Sequence, residues 1–104
     1  MLDIPHLISP NNYNIGQSIS GYLLWYPVDG ATYYNVQLSN NSSFIYPIIN
    51  KFLISNPSLT YSNLESYGKY YWKVKAYNDK DSSDWSFVWN FTTLLAPPKL
   101  LWCQ

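Results

Sequence analysis

The sequence predicts an all-β fold, an antiparallel sandwich or barrel, and three observations support this prediction. Residues 70–77 alternate between apolar and polar types, which is the period of a half-buried strand. Clusters of Pro, Asn, Gly, Ser and Asp recur at short intervals, for example at residues 10–12 and 78–84, and each marks a turn. No window combines a helical apolar stripe with capping residues.

The strand at residues 70–77 organises the prediction because its two faces differ clearly in polarity. A strand of this type buries one face in a core and leaves the other in water. The predicted dry face comprises Tyr70, Trp72, Val74 and Ala76, and the wet face comprises Tyr71, Lys73, Lys75 and Tyr77.

Two further strands are predicted before the middle of the chain, preceded by a short edge strand around Leu7 and Ile8 that is flanked by prolines. The second strand covers residues 19–26 and directs Leu23 and Trp25 inward. The third strand covers residues 32–39. Its inward residues are Tyr34, Val36 and Leu38, and its outward residues are Tyr33, Asn35 and Gln37.

The second half of the chain supplies the remaining elements. Phe44 follows a polar turn and is expected to close one end of the core. Residues 45–55 are apolar but irregular and contain Pro47, which predicts a poorly paired edge strand. A short strand around Leu59 and Tyr61 precedes the central one, and the last strand is predicted at residues 85–93.

Composition limits the class of protein. The chain has 104 residues, enough for one domain, and 47% are hydrophobic, so a core can form. Six basic and six acidic residues give a formal charge of zero, which argues against nucleic acid as a partner. No apolar run approaches the roughly 20 residues of a membrane-spanning helix, so we expect no membrane insertion. The N-terminus lacks the pattern of a signal peptide.

The residues needed for catalysis or for metal binding are scarce. The single histidine, His6, lies near the N-terminus, and Cys103 is the single cysteine. Nucleophilic catalysis and zinc binding both need several such groups together. The acidic loop at residues 79–84 lacks the glycine and the distal glutamate of a calcium loop and is expected to be a solvated hairpin. We therefore expect no enzyme activity, no catalytic residues, no metal and no cofactor.

Several features follow one another in a particular order along the chain. They are Trp25, the third strand at residues 30–38, Leu64 six residues before Tyr70, residues 71–76 and the closing residues 85–93. This ordered set resembles the fibronectin type III domain, in particular the repeats found in secreted and surface proteins of bacteria. The resemblance spans residues 5–93. It implies a domain at residues 1–95, with residues 96–104 as a linker or the start of a following module.

The resemblance implies an immunoglobulin-like antiparallel β-sandwich of about seven strands in two sheets, with the third, sixth and seventh strands in one sheet. It also makes Tyr70 the tyrosine corner, whose ring packs inside while its hydroxyl bonds a backbone group a few residues upstream. Tyr67 is a rival for this role, although its place before Gly68 suits a turn. We expect one dry layer between the sheets, formed by the rings of Trp25, Tyr34, Tyr70 and Trp72.

Two tryptophans near the C-terminus are also expected to be structural. Trp85-Ser86 followed by Trp89 resembles the end-strand tryptophan motif of this family. Trp85 is predicted to stack on Lys73 and Lys75 of the preceding strand. Because Trp85 and Trp89 are four residues apart, a regular strand would direct both to the same face, so this contact requires a bulge between them.

The resemblance implies a non-enzymatic module of a larger extracellular or cell-surface protein, acting as a spacer or a protein-interaction unit. Its partners would be another protein and neighbouring domains of the same chain. The alternative is a carbohydrate-binding accessory module of a secreted glycoside hydrolase, with Tyr33, Tyr71 and Tyr77 as a stacking platform for a glycan. The candidate partner-binding face comprises Tyr33, Asn35, Gln37, Tyr71, Lys73 and Tyr77.

Overall fold

The computed structural model describes residues 2–94 and confirms the all-β class. Its eight strands form two sheets of three and five strands. The strands are β1 (Leu7–Ser9), β2 (Asn14–Gln17), β3 (Gly21–Trp25), β4 (Tyr33–Ser39), β5 (Ile49–Ile54), β6 (Ser58–Tyr61), β7 (Lys69–Tyr77) and β8 (Trp89–Thr93).

The smaller sheet has the order β1-β3-β6 and the larger one the order β2-β8-β7-β4-β5. All pairs are antiparallel except β2 and β8, which run parallel. The strands predicted as third, sixth and seventh are β4, β7 and β8, and they are neighbours in the larger sheet. This confirms the sheet arrangement implied by the resemblance.

The core lies between the two sheets and is rich in aromatic rings. Trp25 of β3 meets Tyr34 of β4 edge to face, with ring centroids 5.4 Å apart, so the contact joins the two sheets. The alternation predicted for β7 is confirmed, since every second residue from Tyr70 to Ala76 is buried. The large buried side chains of this layer are Leu23, Trp25, Tyr34, Val36, Leu38, Tyr61, Tyr70, Trp72 and Phe91.

Strand β2 was not predicted from the sequence. After β1 the chain leaves the smaller sheet and adds β2 to the edge of the larger one, beside β8. Backbone hydrogen bonds from Tyr13 N to Asn90 O and from Leu94 N to Gln17 O, both 2.8 Å, extend this pairing. The strand is short and mostly exposed, so it lacks the alternation from which the other strands were predicted.

Three expectations are wrong in detail. The last strand begins at Trp89, and residues 85–88 lie outside it. Phe44 does not close the core but lies half-exposed, with its ring 4.3 Å from the Lys73 ammonium. Asn35 was expected on an open surface, yet only 8% of it is exposed, because neighbouring elements cover its part of the sheet.

The apolar segment after β4 forms β5 at the edge of the larger sheet, so its edge position is as predicted, although it pairs with β4 at four positions. Its pairing with β4 shifts register between Tyr34 and Val36, and Leu53 has a φ of +59°. A bulky residue with positive φ and a register shift together indicate a bulge, which bends the edge strand.

The described residues contain no helix that is long and apolar enough to cross a membrane. The predicted linker or following module at residues 96–104 lies outside the described residues, so it stays a prediction.

Candidate binding face on the five-stranded sheet

The outward residues of β4 and β7 stand opposite each other in pairs. Tyr33 faces Tyr77, and Gln37 faces Lys73. Between them, Asn35 faces Lys75. Directly opposed side chains on antiparallel strands lie close enough to interact. Tyr71 follows in the same register opposite Ser39, so sheet pairing places all six predicted partner-binding residues on one face, which we call the outer face.

The two tyrosines at one end of the outer face form a small cluster. The rings of Tyr33 and Tyr77 have centroids 5.9 Å apart and planes inclined by 40°. The Tyr77 hydroxyl accepts a hydrogen bond from the Leu53 amide at 2.9 Å, which ties β7 to the bulged part of β5. Both tyrosines are half-buried. The cluster therefore presents ring edges and part of its faces rather than a flat open platform.

Tyr71, the sixth predicted residue, lies on the same strand as Tyr77 but six residues away. At the rise of a β-strand this is a separation of about 20 Å. Tyr71 is opposite Ser39, and the Lys69 ammonium lies 5.7 Å from its ring centroid. The three tyrosines of the predicted glycan platform thus occupy two separate places on the outer face.

Lys73 lies between two aromatic rings at the centre of the outer face. Its ammonium is 4.3 Å from the ring centroid of Phe44 and 4.4 Å from that of Trp85. Lys75 approaches the same Trp85 ring at 5.7 Å. Both contacts predicted for Trp85 are therefore present. Burial lowers the pKa of Lys73, because removal of water disfavours its charged form.

Trp85 reaches these lysines because residues 83–86, which we call the serine segment, pair with β7 through side chains. The Ser83 hydroxyl accepts from Ala76 N at 2.9 Å, and the Ser86 hydroxyl accepts from Val74 N at 3.0 Å. In return, Ser83 N and Ser86 N donate to the carbonyls of Ala76 and Val74, both at 2.8 Å. Each hydroxyl takes the place of a backbone carbonyl in the ladder. Residues 83–86 therefore lie beside β7 without being part of β8, which begins at Trp89. This interruption before β8, rather than a bulge within it, directs Trp85 to the outer face.

The loop after β7 is held in shape by Asn78. Its Oδ1 accepts hydrogen bonds from the amides of Lys80 and Asp81 at 2.8 and 2.7 Å, and its Nδ2 donates to Gly30 O at 2.8 Å. An asparagine that bonds the backbone two residues on is a common way of ordering a turn. The loop therefore has a defined form at the edge of the outer face.

A groove of about 520 Å³ crosses the outer face between this loop and Phe52 of β5. Asn35 lies in the groove, and its Oδ1 is buried without a hydrogen-bond partner. A buried acceptor without a partner costs free energy unless some group satisfies it. The groove lining comprises Asn35, Phe52, Lys75, Tyr77, Asn78, Lys80, Asp81 and Ser82.

The tyrosine-corner contact is present at Tyr70. Its buried hydroxyl accepts a hydrogen bond from the Glu65 amide at 2.8 Å, five residues upstream. Gly68 makes room for the ring, since a Cβ there would lie 2.9 Å from Tyr70 Cε2. Tyr67, the rival, is exposed in the preceding turn.

The other predicted structural residues lie in or against the core. Trp25, Tyr34 and Trp72 are buried, and Trp89 packs edge to face on Trp72 with centroids 6.4 Å apart. Trp85 is half-buried on the outer face.

Several residues of the outer face were not predicted from the sequence. They are Phe44, Phe52, Asn78 and the two serines of the serine segment. The Ser-x-x-Ser spacing was the one available signal for the serine segment, and it is too common to be specific. Within residues 2–94 no three His, Cys, Asp or Glu side chains come together as a metal site would require.

Two packed sheets with a tyrosine corner define an immunoglobulin-like β-sandwich module. No protein-family model matches the sequence, and no curated protein matches it. Solved structures do. The fn3 domain of the human collagen alpha-1(XX) chain is similar over 94% of this chain and 90% of that domain, with a TM-score of 0.70 and 21% identity.

An Fn3-like protein from Clostridium thermocellum matches over 92% of this chain and 94% of that protein, with a TM-score of 0.63 and 18% identity. An alpha-L-rhamnosidase from Dictyoglumus thermophilum matches over 92% of this chain but only 13% of that chain, with a TM-score of 0.70 and 22% identity. This chain therefore has the fibronectin type III fold.

Proposed function

We propose that this chain is a non-enzymatic module of a larger extracellular or cell-surface protein, and that it acts as a spacer or as a protein-interaction unit. The observation that carries the proposal is the outer face, where tyrosine, amide and lysine side chains form one continuous surface on a rigid sheet. Tyrosine is enriched in protein interfaces because it combines apolar area with a hydroxyl.

The distribution of titratable groups supports a non-enzymatic role. His6 and the side chains of all six Asp and Glu residues are exposed, whereas catalytic acids and bases usually lie partly buried in a cleft. The proposed location outside the cell rests on the resemblance to fibronectin type III repeats of secreted and surface proteins.

The spacer and interaction roles can be separated in the parent protein. An unrelated β-sandwich of similar length would replace the module, and the parent's binding and activity would be measured. A spacer tolerates this replacement, whereas an interaction unit loses function. The interaction role also predicts loss on Tyr71→Ser together with Gln37→Ala, while the matched pair Tyr22→Ser and Thr60→Ala on the opposite sheet has no effect.

Protease treatment of intact cells tests the location. Digestion of the module without lysis is the expected result, and full protection in intact cells contradicts the proposal.

A second candidate function is a carbohydrate-binding accessory module of a secreted glycoside hydrolase. It is favoured by the likeness of this chain to parts of an alpha-L-rhamnosidase and of a beta-1,2-glucanase from Parabacteroides distasonis. Tyr33, Tyr71 and Tyr77 would stack on sugar rings. Binding to a glycan array that disappears on Tyr71→Ala or Tyr33→Ala supports this function, and the absence of binding to any glycan contradicts it.

A further inference from the structure

From the groove between Phe52 and the Asn78 loop, we infer a binding site for a saccharide that carries a carboxylate, such as a uronic acid. The groove has a volume of about 520 Å³, which falls in the usual range for small-ligand sites. This inference rests on the second candidate function, because it names the class of sugar and a site separate from Tyr71.

Asn35 forms the polar floor of the groove. The residue is more than nine-tenths buried, and its Oδ1 has no partner within the described residues. An amide in a site can satisfy one ligand group that donates and another that accepts. Adjacent sugar hydroxyls can do both, so rotation of this amide toward the groove would pair it with a saccharide.

Two cations border the groove. Lys75 stands directly opposite Asn35 on β7, and Lys80 belongs to the loop. A hydrogen bond between an ammonium and a carboxylate is shorter and stronger than one between neutral groups. The two lysines therefore select an anionic sugar over a neutral one. Asp81 lines the same groove, and its negative charge limits the affinity for such a ligand.

Aromatic rings provide the apolar contact. Phe52 is 58% exposed on one side of the groove, and Tyr77 lies on its floor with its hydroxyl fixed by the Leu53 amide. The C–H face of a pyranose ring can pack on such surfaces while its hydroxyls stay on polar groups. An exposed phenylalanine beside a buried amide suits a ligand with one apolar face and a polar edge.

The side-chain amides of Gln37 and Asn50, next to the groove, favour a saccharide over an acidic peptide as its ligand. Gln37 Nε2 donates to Asn50 Oδ1 at 3.3 Å, so the groove continues into a surface of amides rather than of further cations. Amides pair well with hydroxyls, whereas an acidic peptide would gain most from additional positive charge. Two lysines suit a single carboxylate within an otherwise neutral, hydroxylated ligand.

The test is an NMR titration of the chain with a short oligogalacturonate and with its methyl ester, which differs only in the neutralised carboxylates. We expect the free acid to shift the signals of Asn35, Lys75 and Lys80, and to bind about tenfold more tightly than the ester. Lys75→Gln and Lys80→Gln should each remove most of this preference. Lys69→Gln, the same change outside the groove, should leave it unchanged.

Two further variants separate binding from folding. Asn35→Leu removes a side chain whose Oδ1 has no hydrogen-bond partner within residues 2–94, so we expect weaker sugar binding with no loss of unfolding midpoint in urea. Asp81→Asn removes the opposing charge, so tighter binding of the acid is expected, with the ester unaffected. A lower affinity of Asp81→Asn for the acid contradicts the charge arrangement.

The remaining outcomes distinguish this inference from the function on which it rests. Binding of a neutral glycan at Tyr71, with no change at Asn35, keeps the carbohydrate function and overturns the groove. Lysine-dependent binding of a polyglutamate peptide but not of oligogalacturonate overturns the saccharide and identifies an acidic-peptide site. No binding by any of these probes, together with a blank glycan array, overturns both.

Discussion

Tyr70 joins the core to the loop that precedes β7 through a single hydroxyl. Its ring is buried against Phe91, with centroids 5.9 Å apart, and its oxygen accepts from the Glu65 amide. The loop between Leu64 and Gly68 therefore has a fixed position relative to both sheets. At the residue scale, this hydrogen bond holds an exposed turn in a fixed position against the buried core.

Tyr70→Phe removes that oxygen and leaves the Glu65 amide without its partner. We expect the free energy of unfolding to fall by about 0.5–1.5 kcal/mol, the usual net contribution of one hydrogen bond, because this bond is only partly buried. Urea unfolding followed by tryptophan fluorescence measures the change. Tyr67→Phe is the matched control, because the exposed Tyr67 should change stability by less than about 0.5 kcal/mol. Equal effects of the two variants would contradict the corner.

Tyr61 should make the stability of the protein sensitive to alkaline pH. Burial raises the pKa of Tyr61 above 10.0, while the hydrogen bond from Gln17 acts in the opposite direction. The folded state therefore holds the phenolic proton more tightly than the unfolded state. This contribution to stability is complete below pH 10.0 and is lost as the pH rises through the folded-state pKa.

Tyr61→Phe tests this pH dependence. The variant loses the hydrogen bonds of Tyr61 with Ser18 and Gln17, so we expect lower stability at neutral pH. Above pH 10.0 its free energy of unfolding should decline less steeply than that of the parent. Urea unfolding at several alkaline pH values provides both slopes, and identical slopes would refute the assignment.

Lys73 and Trp85 should be energetically coupled. A half-buried ammonium over an aromatic ring contributes about 0.5–2 kcal/mol. A double-mutant cycle with Lys73→Met and Trp85→Leu measures this coupling and keeps most of the apolar volume. A cycle that pairs Trp85→Leu with Lys51→Met, on the far edge strand, should give no coupling. Zero coupling in the first cycle would show that the contact between the Lys73 ammonium and the Trp85 ring contributes nothing to stability.

At the scale of elements, the serine segment completes the ladder beside β7. Ser83→Ala and Ser86→Ala each leave a β7 amide without an acceptor, so we expect a loss of about 1–3 kcal/mol per substitution. Hydrogen exchange at Val74 and Ala76 should accelerate selectively. The exposed Ser82→Ala serves as the control. Unchanged exchange in Ser86→Ala would show that the hydroxyl is dispensable.

The strands that could be predicted from sequence are those with one buried face. In β7 the apolar residues Tyr70, Trp72 and Val74 alternate with polar ones, and the apolar residues are those that are buried. The sequences of β3 and β4 show a similar pattern. Burial of a face fixes which residues must be apolar. Such strands were assigned with nearly correct bounds.

Elements that depend on distant partners could not be predicted in the same way. Strand β2 has no fully buried side chain and exists because β8 offers a free edge. The burial of Asn35 depends on Phe52 and on the Asn78 loop, which are remote in sequence. The contact of Trp85 with Lys73 was predicted from the resemblance, whereas the serine pairing that creates it was not.

At the scale of the whole molecule, the domain boundary predicted at residue 95 can be tested by truncation. A chain ending at residue 95 keeps all eight strands and the bonds of Leu94 with Gln17 and Tyr67. We expect one cooperative thermal transition within about 5 °C of the full chain.

A chain ending at Thr93 is the matched comparison. It loses the Leu94 bonds and should melt at a lower temperature. Failure of the 95-residue version to fold would place essential contacts beyond the predicted boundary.

The parallel pairing of β2 with β8 determines how the molecule responds to tension. The chain enters β2 at one end of this pair and leaves β8 at the other end, so stretching the protein by its two termini slides the strands lengthwise. All backbone hydrogen bonds between β2 and β8 then carry the load at the same time, instead of breaking one after another. Rupture must break them together, and a module joined in this way holds its length under load.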